Sequence, residues 1–157
     1  MKIKEILSII FINLTMFFAL ISMHELSHIT VGMLSGCKYH KSILIDSNLV
    51  GPYIELYCSN GNNMVVFLSG LLTTASFSFL FLLLNKSTKN LFATSLGLSI
   101  IFSSLDVTIA TNIQSLFYPM VLIGFFMTIA GEYSIANSFV NNNLSLDLLC
   151  IEGEVEV

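Results

Sequence analysis

His24-Glu25-Leu26-Ser27-His28 is an H-E-x-x-H pentad set inside an apolar run from Ile6 to Leu34. Residues four apart on an α-helix lie about 40° apart around the axis, so His24 and His28 share one face. Two imidazoles at that spacing grip one Zn²⁺, and the Glu between them stands beside the metal as a general base. The surroundings sharpen the signal. An ionisable side chain in a membrane span costs about 2.5–3.5 kcal/mol on insertion scales, so three of them in five positions need a function.

The run that carries the pentad is ~43 Å long as a helix, against a hydrocarbon core of ~30 Å. It must tilt or protrude. The pentad lies in its second half, nearer the membrane face that bears the next loop. Lys2 and Lys4 before the run resemble the start of a signal peptide. No small-x-small cleavage site follows Ile21, and the helical pattern continues to Gly36, so the segment reads as an uncleaved first span.

Composition agrees with that class. Of 157 residues, 55% are hydrophobic and only 10% charged, with a mean hydropathy of +0.85. A soluble domain carries about 25% charged residues. The chain reads as a multi-pass integral protein of the cell membrane, with the lipid bilayer as its surroundings. The net charge of −4 comes partly from Asp147, Glu152, Glu154 and Glu156 in the tail. No basic stripe is present, so nucleic acid is not an expected partner.

Outward from the pentad, Gly36 and the basic stretch Lys38 to Lys41 are C-terminal helix signals. Ser42 to Tyr57 reads as two short strands, Ile43–Ile45 and Tyr53–Tyr57, with Asp46-Ser47-Asn48 and Gly51-Pro52 in the turn between them. Met64 to Leu84 is a second span without a charge. Its Ser69, Gly70, Thr73, Thr74 and Ser76 suit close helix packing. A third span, Leu91 to Ala110, contains Asp106, with Ser99, Ser103 and Ala110 on the same helical side. After a short loop, Thr111 to Ser115, a fourth span runs from Leu116 to Ala136 and contains Glu132. The expected fold is an all-α membrane protein of four transmembrane helices, with a small β-hairpin between the first and second. One domain covers residues 1–140, and a flexible acidic tail covers 141–157.

Three cysteines, Cys37, Cys58 and Cys150, include no C-x-x-C pair and so indicate no cysteine-based zinc site. Cys37 and Cys58 flank the same polar segment and could meet. An odd count gives no disulfide framework, and the expectation is small buried or free thiols.

A catalytic zinc needs a third protein ligand, with water in the fourth position. Asp106 is the choice, a carboxylate among small residues in an apolar span. The alternative for Asp106 is a solvated or capping residue at the span boundary. Glu132 is the reserve ligand, with a boundary role as its simpler explanation. His40, Asp46 and Glu55 belong to the hairpin region and are expected to face water.

With these residues in hand, the chain resembles the site-2 protease family of intramembrane zinc metalloproteases. The resemblance rests on His24-Glu25-Leu26-Ser27-His28 and Gly32, the hairpin-like stretch with Gly51-Pro52, Ser69-Gly70 in the second span, and Leu105-Asp106 in a later one. It covers about residues 15 to 112. It implies His24, His28 and Asp106 as metal ligands and Glu25 as the catalytic base. It also implies a membrane-protein substrate held as an extended strand near residues 43–57. Val107 stands where the family usually has Gly, and Leu98, Ile101, Leu71 and Thr74 replace its usual Asn and Pro positions. No PDZ-like domain is present.

The expected activity is that of an intramembrane zinc metalloendopeptidase cutting in or near transmembrane segments. Two other functions fit the same residues: a catalytically silent relative that binds or chaperones a membrane partner, and a small transporter subunit using His24, Glu25, His28 and Asp106 as an ion path. Orientation stays open. Four of the six lysines lie on the side of the N-terminus, which favours a cytoplasmic N-terminus. The family resemblance implies the reverse, with the hairpin in the cytoplasm.

Overall fold

In a bilayer every backbone N–H and C=O must be bonded within the protein, so long apolar runs become helices. The computed structural model describes residues 3–43, 53–58, 63–84 and 88–140. Four helices occupy most of them: α1 (Ile3–Leu34), α2 (Asn63–Leu84), α3 (Lys89–Thr111) and α4 (Phe117–Val140). Each is long and apolar enough to cross a membrane. Asn112, in the left-handed conformation at φ 55°, ends α3, and a single 3₁₀ turn (Gln114–Leu116) leads into α4. Residues 141–157, the expected tail, lie outside the described residues.

The burial pattern is inverted relative to a soluble bundle. Leu7, Phe11, Phe18, Leu72 and Phe126 point outward, while Thr74, Ser78, Ser95, Ser99 and Ser103 are fully buried. Apolar side chains gain nothing by leaving lipid for an apolar interior, so helix association relies on close packing and hydrogen bonds. Several of the buried hydroxyls are satisfied within their own helices. Thr74 donates to the Gly70 carbonyl at 2.8 Å, Ser78 to Thr74 at 2.9 Å and Ser99 to Ser95 at 2.8 Å.

Consecutive helices pack side by side, and α1 also reaches α3. The α3–α4 contact is backbone to backbone. A Cβ on Gly97 would stand 2.6 Å from the Gly124 carbonyl oxygen, and a Cβ on Gly124 would stand 2.6 Å from that of Gly97. Between α1 and α4, Asn13 Nδ2 donates to Glu132 Oε2 at 2.7 Å. Glu132 is therefore an interhelical acceptor rather than a free boundary carboxylate. Such bonds average about 0.6 kcal/mol in membrane proteins.

The end of α1 sets up the hairpin. Gly36 takes φ +85°. The Gly36 N–H bonds the Met33 carbonyl at 3.0 Å and the Cys37 N–H bonds the Gly32 carbonyl at 2.9 Å. This pair of bonds is a Schellman cap, which stops a helix and turns the chain within two residues. Strand β1 (Lys38–Ile43) then starts at once and pairs antiparallel with β2 (Tyr53–Tyr57), with an irregularity at His40. The first strand thus begins at Lys38, where the basic residues suggested only a helix end. Its expected continuation at Leu44 and Ile45, and the turn with Asp46, lie outside the described residues.

Cys37 and Cys58 are joined in a disulfide, contrary to the expectation of free thiols. The register explains it. Lys38 pairs with Tyr57, so the residues just outside that pair come face to face. The odd cysteine count hid this bonded pair, and Cys150 lies outside the described residues.

Replacing Gly97 by Val would push a branched side chain into the α4 backbone. Overpacking of this kind costs about 1–3 kcal/mol. Unfolding in mixed detergent micelles, followed by circular dichroism, should show that loss for Gly97→Val and a smaller one for Glu132→Gln.

Candidate metal centre

The pentad places both imidazoles on the inner face of α1, where His24 and His28 are buried. Asp106 reaches them from α3. His24 Nε2 stands 2.7 Å from Asp106 Oδ2, His28 Nε2 stands 3.2 Å from the same oxygen, and the two Nε2 atoms are 3.0 Å apart. The sequence-based ligands therefore converge on one point from helices 78 residues apart in the chain.

The donor chemistry fits a cation. His28 Nδ1 donates to the Val66 carbonyl at 2.7 Å, since a carbonyl can only accept. In the neutral ring this bond leaves Nε2 as a lone pair. That lone pair faces a carboxylate oxygen, another acceptor. Two acceptors in contact repel unless a proton or a metal ion stands between them. The three separations can be compared with a tetrahedral site. Ligand atoms 2.0–2.1 Å from a zinc lie about 3.3 Å from one another. Edges of 2.7, 3.0 and 3.2 Å are slightly tighter than that.

Neighbours lock the rings. Metal-ligating histidines characteristically donate their other N–H to a carbonyl, carboxylate or water, and the Val66 carbonyl does this for His28. Ser103 Oγ lies 3.4 Å from His24 Nδ1. Ser69 donates to the same Val66 carbonyl at 2.6 Å, and Ser27 donates to the His24 carbonyl at 2.7 Å. Gly70 gives His24 its room, because a Cβ there would stand 2.6 Å from Nδ1 and 2.8 Å from Nε2. Any side chain on that residue must displace the ring.

Glu25 lines the same cavity, about 620 Å³ in volume, together with His24, His28 and Asp106. Ile54, Leu56, Tyr57 and Cys58 at the hairpin also line it. Strand alternation turns Ile54 and Leu56 to one face. Glu55, between them, turns away and pairs with Lys41 at 3.3 Å. His40 Nε2 is 3.9 Å from Glu55 on that exposed side, so neither joins the centre. Glu132 is held by Asn13. Among the described residues, His24, His28 and Asp106 form the one group of three or more such side chains able to hold an ion.

Sequence reasoning missed the Val66 carbonyl, which as backbone leaves no trace in residue type. It also missed Asn13 as the partner of Glu132, although an amide in the first apolar run was a visible signal. No family model, curated protein or solved structure matches the chain.

Purified protein should hold close to one zinc per chain by mass spectrometry of metals. His24→Ala, His28→Ala and Asp106→Ala should each lose it, and Glu132→Gln should keep it. Gly70→Ala should weaken zinc binding about 10–100-fold, the usual effect of losing a supporting contact.

Proposed function

We propose that this protein is an intramembrane zinc metalloendopeptidase of the site-2 protease type, acting on transmembrane segments of other proteins in the cell membrane. The observation that supports it is the meeting of His24, His28 and Asp106 beside Glu25 in one cavity. A transporter path would need ionisable groups continued toward the other face. Among the described residues, the other carboxylate inside a span is Glu132, and it is bonded to Asn13 instead.

His24, His28 and Asp106 would hold the ion, and the cavity leaves one side free for water and substrate. Zinc in such a site acts as a Lewis acid and makes water acidic enough to ionise near pH 7. Glu25 takes a proton from the attacking water. The water oxygen bonds to the carbonyl carbon, the C–N bond breaks, and the proton on Glu25 passes to the leaving amine. The buried supports at Val66, Ser69, Ser103 and Gly70 hold the imidazoles in place while this happens.

The substrate would enter as an extended strand. A helix keeps its carbonyls in internal hydrogen bonds, so a segment must unwind before it can be cut. The hairpin offers backbone edges for the unwound stretch, and Ile54 and Leu56 turn an apolar surface to the cavity.

The test is cleavage of a transmembrane substrate in proteoliposomes. Glu25→Gln should keep its zinc and lose at least about 10²-fold in turnover, the range for removing a general base. Zinc-loaded wild-type protein that cleaves no membrane substrate would favour the binding or chaperone role instead.

A further inference from the structure

Three features that the hydrolytic reading leaves unused bear on the cavity's placement: one puts it in the hairpin half of the bundle, and two agree on the side of the membrane on which that half lies. We propose that the cavity opens toward the oxidising, extracytoplasmic side. Its substrates are then membrane segments whose scissile stretch lies in the outward half of the bilayer. The side rests on the disulfide and the lysines. Only the substrate clause rests on the hydrolytic reading.

The first feature is depth. His28 precedes the end of α1 by six residues, about 9 Å of helix, and Asp106 precedes the end of α3 by five, about 7.5 Å. Both helices run toward the hairpin side. The centre therefore lies in the hairpin-side half of the bundle, and β2 walls its mouth.

The second feature is the Cys37–Cys58 disulfide. It ties the residue after the α1 cap to the residue after β2. Cys58 lines the cavity itself. Disulfides form and persist in oxidising compartments and are rare where glutathione and thioredoxin keep thiols reduced. A bond in this hairpin places the hairpin, and the cavity mouth with it, outside the cytoplasm.

The third feature is the distribution of lysine. By chain order, Lys38 and Lys41 lie on the hairpin side, whereas Lys2, Lys4, Lys86 and Lys89 lie on the other. Cytoplasmic loops carry the excess of Lys and Arg. That count assigns the hairpin to the outside, as the disulfide does. The two cues are physically unrelated, one being redox chemistry and the other charge during insertion. Together they oppose the cytoplasmic hairpin that the family resemblance implies.

The experiment is thiol labelling of the full chain in intact cells, in a Cys150→Ser background. Ser115→Cys puts a thiol at an exposed residue of the α3–α4 turn on the hairpin side, and Ile3→Cys puts one at the exposed start of α1. A membrane-impermeant maleimide should label Ser115→Cys in intact cells and Ile3→Cys only after permeabilisation. The Cys150→Ser parent should show no free thiol before reduction and two after. Labelling in the reverse pattern, or two free thiols before reduction, would overturn the proposal. Neither readout depends on metal or cleavage, so a wrong side leaves the hydrolytic reading standing, and a silent enzyme leaves the side standing.

Discussion

Two imidazole nitrogens and a carboxylate oxygen are held within 3.2 Å of one another inside a bundle of apolar helices. Electrostatic interactions strengthen as the effective dielectric falls, and unpaired acceptors become costly there. The rest of the structure is arranged around that constraint. The Val66 carbonyl claims the Nδ1–H of His28 and so turns its lone pair inward. Gly70 leaves the space that His24 fills. The same contacts gather the donor set of a candidate cation site.

Bringing α1 to α3 requires an interior without bulk. Serine, threonine and glycine line the helix contacts, and the hydroxyls of Thr74, Ser78 and Ser99 bond back to their own helices. The large apolar side chains are turned outward to lipid. Packing, rather than burial of apolar surface, therefore sets the position of Asp106. The hairpin adds a second constraint at the mouth. A helix cap, a strand register and a disulfide fix β2 beside the centre, with Leu56 packed close to Gly32.

Much of this was legible in the sequence, for reasons that differ by element. The four spans were readable because uninterrupted apolar runs leave the backbone no other solution in lipid. Their boundaries moved by a few residues, since polar ends such as Asn137 and Ser138 can continue a helix past the apolar core. Asp106 stood out as a lone carboxylate in its run, and the small residues around it marked the close approach. The hairpin was offset at its first strand, because Lys38 and Lys41 carry no strand signal of their own and follow β2 through pairing. The disulfide depended on a register that spacing alone does not reveal. Glu132 could be placed only by its distant partner Asn13.

The central claim is a metal ion held by two imidazoles and one carboxylate beneath the membrane surface. X-ray absorption at the zinc edge of the purified, detergent-solubilised protein tests it most directly. The account predicts a first shell of nitrogen and oxygen alone, at about 2.0–2.1 Å, with outer-shell scattering from two imidazole rings. Sulfur scatterers at about 2.3 Å, or scattering from a single imidazole, would contradict it.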